Sequence, residues 1–267
     1  MNADRPTMNK PKIFHELHHR DEPLVLPNAW DFGSAAALAA EGFPAIGTTS
    51  LGVAVAAGLP DGTGVTRDET LAVATRLARL AVPVTVDIEG GFSENPGEVA
   101  DYVARLAELG IAGVNLEDGR SDSTLAEPGH QAELIGAIKA RTPELFVNAR
   151  VDTYWLKLQQ DSTLARVGRY TDAGADGIFV PGMTDPVEIT DLVAATTLPV
   201  NILYAANGPS IAALAELGVR RISTGSLLYR TALAAVVDAA RAVRDDGPFT
   251  IEVPTYREVQ AITASDA

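Results

Sequence analysis

The sequence predicts a single (β/α)8 barrel, on the strength of its rhythm and its length. Short β-branched runs alternate with Ala- and Leu-rich helical stretches from residue 24 to residue 243, and 267 residues suit one such domain. Strands separated by helices must pair in parallel through right-handed crossovers, and eight such units close naturally into a ring. An open doubly wound sheet is the competing arrangement of the same units.

In chain order, the first strand-like run is Leu24–Ala29 and the second Ala45–Ser50, with the helical pattern Arg67–Leu80 after it. Pro83–Glu89 precedes the helix Pro96–Leu109, and Gly113–Asp118 and Leu145–Val151 form the next two strands. Then follow the helix Ser162–Ala173, the strand Gly177–Gly182 and the helix Pro186–Ala195. The strand Pro199–Tyr204, the helix Ser210–Leu217, the strand Arg220–Gly225 and the helix Leu227–Val243 complete the series. Asn95-Pro96 and Asp185-Pro186 read as helix starts, and Gly110, Gly174 and Gly218 as helix ends. Residues 1–23 form a polar extension expected to cross the barrel bottom, 24–245 the barrel, and 246–267 a tail with a short helix that docks on a neighbouring subunit.

Composition narrows the function. Hydrophobic residues make up 46% and charged residues 21%, enough to bury a large core. A formal charge of −14 repels phosphate backbones and anionic lipid, so neither nucleic acid nor membrane is an expected partner. No apolar run approaches the ~20 residues that span a bilayer. The opening MNADRPTMNKPKIF lacks the apolar core of a secretory signal, so a cytoplasmic protein is expected. With no cysteine, disulfides, thiolate metal sites and a Cys nucleophile are excluded.

The functional signal is where the acids fall. Barrel sites assemble at the C-terminal ends of the strands. Asp61 lies after the second strand in GLPDG, Asp87 and Glu89 end the third in VTVDIEGG, Glu117 and Asp118 the fourth, and Arg150 and Asp152 the fifth. Asp87 and Glu89, two apart on a strand, are expected to share a face. Independent helix capping has no reason to choose successive strand ends, whereas carboxylates crowded round one pocket repel unless a cation intervenes. All-oxygen donors favour Mg²⁺ or Mn²⁺, with some acids acting through water. Arg150 reads equally as a contact for an anionic substrate and as a structural partner of Glu117 or Asp152.

Two other patterns are weighed. His15-Glu16-Leu17-His18-His19 fits H-E-x-x-H, but it precedes every barrel strand in a short helix between Pro11 and Pro23, so zinc is not expected there. The glycines of Gly208-Pro209-Ser210 and Thr224-Gly225-Ser226 leave a phosphate site after the last strands open; Asn201 and Ser223 are candidates to face a second substrate carboxylate.

The segments PNAWDFGSAAALAAEGFPAIGTTS, GLPDG, VDIEGGF, GVNLEDG, NARVDTY and GVRRISTGSLLYR, in this order over residues 22–245, resemble the isocitrate lyase / phosphoenolpyruvate mutase superfamily. The resemblance implies a (β/α)8 barrel, commonly a tetramer that exchanges a C-terminal helix, using Mg²⁺ to make or break C–C or P–C bonds beside a 2-oxo acid or its enolate. It implies Asp87 as the main metal-side carboxylate, with Asp61, Glu89 and Glu117 holding the metal's waters. Arg150 would meet the substrate oxygens, and Thr49, Ser50 and Leu51 would hold its carboxylate through backbone N–H groups. The lyases' Lys-Cys-Gly-His loop is replaced here by GRSDSTLAEPGHQAE, and the mutase's lysine-bearing loop is missing too. His130 is then the candidate proton donor, against an exposed loop histidine, and Tyr154 a weaker one. The expected activity is Mg²⁺-dependent C–C cleavage of a small 2-oxo or 2-hydroxy acid. Oxaloacetate-type decarboxylation or hydrolysis, phosphonopyruvate-type chemistry and non-catalytic binding of a 2-oxo acid are the alternatives.

Overall fold

Nine short strands, buried on both sides, pair in parallel in the order β1-β9-β8-β7-β6-β5-β4-β3-β2. The computed structural model describes residues 9–250 and 252–263. The chain runs α1 (Lys10–Leu17), β1 (Leu24–Leu26), β2 (Asn28–Ala29), α2 (Phe32–Ala40), β3 (Ile46–Thr48), α3 (Ser50–Ala56) and α4 (Arg67–Leu77). It continues through β4 (Val84–Asp87), α5 (Pro96–Glu108), β5 (Gly113–Glu117), α6 (Pro128–Arg141), β6 (Phe146–Arg150) and the single turn α7 (Thr153–Leu156). Then come α8 (Thr163–Asp172), β7 (Gly177–Phe179), α9 (Pro186–Ala194), β8 (Val200–Leu203), α10 (Ile211–Glu216), β9 (Arg221–Ser223), α11 (Leu227–Arg244) and α12 (Tyr256–Ala261). This is the predicted barrel rather than an open sheet.

The predicted first strand, Leu24–Ala29, is two pieces. β1 pairs with β9 and β2 with β3, and they meet at Pro27, which has no N–H to give to a ladder. That break lets one stave join both ends of the sheet. Asn28 holds the join: its amide Nδ2 donates to Thr48 O at 2.7 Å, while its Oδ1 accepts from Thr224 N at 3.0 Å and Gly225 N at 2.9 Å.

Helix boundaries follow local chemistry. The Asn95 and Asp185 side chains each accept from two first-turn N–H groups, ahead of Pro96 and Pro186. The predicted Arg67–Leu80 helix stops at Leu77. Lys10 Nζ, arriving from α1, takes the carbonyls of Ala78 at 2.8 Å and Leu80 at 2.6 Å beyond that end.

α1 closes the bottom of the barrel with apolar and aromatic groups rather than as a solvated helix. Phe14, Leu17 and His18 are buried, and Phe14 meets Phe146 edge-on with ring centroids 5.3 Å apart. Gly113 makes room for this plug, since a Cβ there would lie 3.0 Å from Phe14 Cε1 and 2.8 Å from Phe146 O. His18 stacks on Phe146 at 4.2 Å and its Nδ1 meets Phe14 O at 2.7 Å; burial, helped by the charge of Arg221, lowers its pKa to about 3. α1 ends at Leu17, so the outer histidines of H-E-x-x-H do not share a continuous helix. Residues 1–8 of the predicted extension and 251 and 264–267 of the predicted tail lie outside the described residues.

Asp118, predicted to join the pocket acids, turns the other way. Fully buried, it accepts from Arg166 Nη1 at 3.0 Å, Tyr170 Oη at 2.7 Å and Asp152 N at 2.8 Å, tying the end of β5 to α8. One residue past Glu117, it faces the helix layer because strand side chains alternate. Arg166→Met removes one partner of a buried pair and should cost about 3 kcal/mol. In urea denaturation the midpoint is expected to fall while the helical circular dichroism of the folded state is unchanged.

Candidate active site

The ends of β2 to β9 surround a cavity of about 510 Å³ at the C-terminal face. Asp61, Asp87, Glu117, Arg150 and Asp152 line it together, with Thr49, Ser50 and Leu51 where α3 begins. The parallel register sets Asp87 beside Asn115 and Glu117 beside Arg150 on neighbouring staves.

Arg150 is the charge at the centre. Its Nη1 lies 2.7 Å from Glu117 Oε2 and its Nε 2.7 Å from Asp152 Oδ1, so a single guanidinium serves two carboxylates. Burial works against its charge, but Asp152, Glu117 and Asp87 outweigh burial and raise its pKa. The two structural partners weighed for Arg150 are therefore both present, and the side chain still lines the cavity. Gly119 allows this arrangement, because a Cβ there would meet Asp152 Oδ2 at 2.5 Å.

The acids remain under strain from one another. Burial pushes Asp87 up to about 6; Arg150 opposes that rise, while Asp61 and Glu89 add to it. Burial likewise pushes Glu117 up to about 8 against the pull of Arg150, with Asp152, Asp87 and Glu89 adding. Asp87 is placed through its backbone, whose N–H donates to Thr48 Oγ1 at 2.8 Å.

Glu89 does not line the cavity, although the sequence places it on the face of Asp87. β4 ends at Asp87 and Glu89 has a φ of 49°, so strand alternation no longer governs its direction. Its side chain instead accepts from Gly64 N at 2.8 Å and from Thr66 Oγ1. It thereby anchors the loop that carries Asp61.

Other predicted positions also lie apart. His130, at the start of α6, stands outside the cavity with Nε2 2.9 Å from Glu94 Oε2 and Nδ1 3.8 Å from Glu133 Oε2. Tyr154 donates to Glu188 Oε1 at 2.8 Å and does not line the cavity either. Asn201 is buried beneath the floor and donates to Ser223 Oγ at 3.1 Å; Ser223 itself lines the cavity.

Residues not singled out in the sequence complete the site. Arg221, fully buried in the barrel axis, donates to Ser223 Oγ at 3.0 Å and Asn115 Oδ1 at 3.2 Å, both floor residues. Burial lowers its pKa to about 9, with the charge of Asp87 opposing that fall. A charged residue inside the strand run Arg220–Gly225 is the sequence signal that could have found it. Arg120 and Arg230 also reach the cavity wall.

The donor set suits a hydrated hard cation. Asp61, Asp87 and Glu117 offer only oxygen, and their mutual repulsion is what such a charge relieves. No group of three or more His, Cys, Asp or Glu among the described residues converges tightly enough to hold an ion directly.

A family model described as "Phosphoenolpyruvate phosphomutase" matches residues 14–244. An uncharacterized Mycobacterium tuberculosis protein is 52% identical over 250 residues, 93% of this chain and 95% of that one. An oxaloacetate decarboxylase of Pseudomonas savastanoi pv. phaseolicola is 31% identical over 201 residues, 69% of this chain and 67% of that protein. A crystal structure of a Burkholderia cenocepacia protein superposes with a TM-score of 0.86 and 36% identity, covering 96% of this chain and 95% of the other.

The raised pKa values of Asp87 (about 6) and Glu117 (about 8) carry a sign. Between the unfolded carboxylate range and these values the folded protein holds protons that the unfolded chain has released. The pair's contribution to stability is therefore lost as pH rises toward 8. A cation binds only the deprotonated acids. In thermal melts, the Tm increment produced by millimolar Mg²⁺ is expected to be larger at pH 8 than at pH 5.

Proposed function

The chain belongs to the phosphoenolpyruvate phosphomutase family, and from that premise we propose that it is a Mg²⁺-dependent carbon–carbon lyase of a small 2-oxo or 2-hydroxy carboxylic acid. The carrying observation is one cavity lined by Asp61, Asp87 and Glu117 together with Arg150. In this reading Asp87 holds the cation, and Asp61 and Glu117 hold its waters. Glu89 acts one step back, by fixing the loop of Asp61. A divalent cation bound there supplies positive charge opposite the oxygen on which negative charge develops as the adjacent bond breaks.

The chain's own groups do the remaining work. Glu117 and Asp152 hold the Arg150 guanidinium in a single orientation, so that it meets substrate oxygens without reorganising. The start of α3 presents the backbone N–H groups of Ser50 and Leu51, free of helical partners, to a substrate carboxylate, while Thr49 N–H donates to Ala29 O at 3.0 Å and fixes the turn.

Within this class, decarboxylation of an oxaloacetate-like acid is favoured by the lining. No Lys, His or Cys is among the described residues that line the cavity. The CO₂ that departs takes no proton and the enolate left behind takes its proton from water, whereas cleavage into two larger acids calls for a placed donor. The similarity to an oxaloacetate decarboxylase supports the same choice.

A homo-oligomer is part of the proposal. In α11 the only buried side chain is Tyr229, while Leu233, Val236, Val237 and Val243 stand exposed. Such a helix face calls for cover.

Incubation with Mg²⁺ and a panel of 2-oxo and 2-hydroxy di- and tricarboxylates tests the activity. Asp87→Ala should lower kcat about a thousandfold while leaving the fold intact; tight binding without turnover in the wild type would favour the non-catalytic reading. In sedimentation velocity the wild type is expected to run as a multiple of the chain mass, and the paired change Val236→Glu, Val237→Glu as a smaller species.

A further inference from the structure

We propose that Arg221 is a positioning residue, which turns the Asn115 amide and the Ser223 hydroxyl of the cavity floor so that both donate to an anionic oxygen of the substrate. The inference goes one step below the lyase reading and rests on it for the identity of that oxygen.

A guanidinium donates and never accepts, so every group it meets must offer an acceptor. Arg221 Nη2 donates to Asn115 Oδ1 at 3.2 Å, and Asn148 Nδ2 donates to the same oxygen at 2.9 Å. Turning the Asn115 amide over would set its N–H groups against these donors, so Oδ1 stays toward the floor and Nδ2 away from it. Asn115 lines the cavity, and its Nδ2 has no hydrogen-bond partner among the described residues. Ser223 Oγ accepts from Arg221 Nε at 3.0 Å and from Asn201 Nδ2 at 3.1 Å. A hydroxyl accepts at two lone pairs and donates one proton. Both lone pairs are taken by groups of the floor, so the proton is left to donate, and Ser223 also lines the cavity.

The charge of Arg221 is placed for this task. The side chain is fully buried, and its Nη1 makes no hydrogen bond among the described residues, so Asn115 and Ser223 are the groups it holds. Beneath it lies the Phe14 ring, 6.0 Å from Cζ, and that apolar plug keeps water from screening the charge. A methionine of similar length would fill the axis without the desolvation that a charge carries. β9 and β5 are separated in the sheet by β8, β7 and β6, and the long side chain crosses the axis to hold a residue on each. The rigid fork of the guanidinium reaches both at once, which the single nitrogen of a lysine does not. A cation behind each donor also polarises it, and in a dry floor this strengthens its bond to an anionic acceptor.

Isothermal titration of oxalate, a dianion of two joined carboxylates, in Mg²⁺ tests the assignment on the wild type, Arg221→Met, Arg221→Lys, Ser223→Ala and the pair Arg221→Met, Ser223→Ala. Arg221→Met and Ser223→Ala should each weaken oxalate about tenfold, the loss of a hydrogen bond to a charged group. If Arg221 acts through Ser223 and Asn115, the pair should stay within about threefold of Arg221→Met alone; independent losses would multiply to about a hundredfold and overturn the inference. Arg221→Lys keeps the charge but not the fork and should remain at least about threefold weaker than the wild type. Full recovery by lysine would assign the effect to charge alone, against a positioning role. The Tm increment from Mg²⁺ without oxalate should be retained in Arg221→Met, and its loss would show a general collapse of the site instead. Should Arg221→Met not fold, Ser223→Ala and Asn115→Leu decide the matter, since unchanged oxalate affinity in both overturns the proposal. A wild type that binds no oxalate in Mg²⁺ would overturn the lyase reading, and the inference with it.

Discussion

Arg150 and the carboxylates around it are the interaction on which the site depends. Parallel register brings Glu117 and Arg150 side by side on adjacent staves, and the guanidinium closes on Glu117 and Asp152 at 2.7 Å each. Burial, opposed by Arg150 and reinforced by the neighbouring acids, keeps the pKa values of Asp87 and Glu117 above the carboxylate range. Buried acids that one cation does not satisfy are the physical reason for reading the cavity as a place for added positive charge.

The frame beneath is built to hold this charge in place. α1 plugs the far end of the barrel with Phe14 against Phe146, excluding water from the axis. Above the plug, Arg221 lies fully buried and binds Asn115 and Ser223 from below. A buried guanidinium without a carboxylate partner is costly, and its lowered pKa shows the cost. It is tolerated where the negative charge of Asp87 lies above it. The floor of the cavity and the core of the barrel are thus one polar column inside an apolar wall.

Much of the site was legible before any coordinates. The strand ends that carry Asp61, Asp87, Glu117 and Arg150 could be read from β-branched runs breaking into polar residues, and the structure gathers all four on one cavity. The positions that moved did so for identifiable reasons. Glu89 follows the last residue of β4 in a left-handed conformation, so spacing by two no longer means a shared face. Asp118 alternates outward to Arg166, and Asn201 alternates into the floor. His130 begins a helix beyond a loop, where its distance from the cavity depends on the course of that loop and not on strand geometry.

The sequence by itself determined the barrel, its strand order and the gathering of acids at one rim, because these follow from local periodicity and from the handedness of parallel crossovers. Tertiary structure alone decided which charges pair and which stay free. Arg120, Arg150, Arg221 and Arg230 are the same residue type, yet one serves a loop acid and backbone carbonyls, one serves two carboxylates, one is buried in the floor and one lines the wall with no ion pair among the described residues. That difference comes from distances between residues far apart in the chain, which no local pattern encodes.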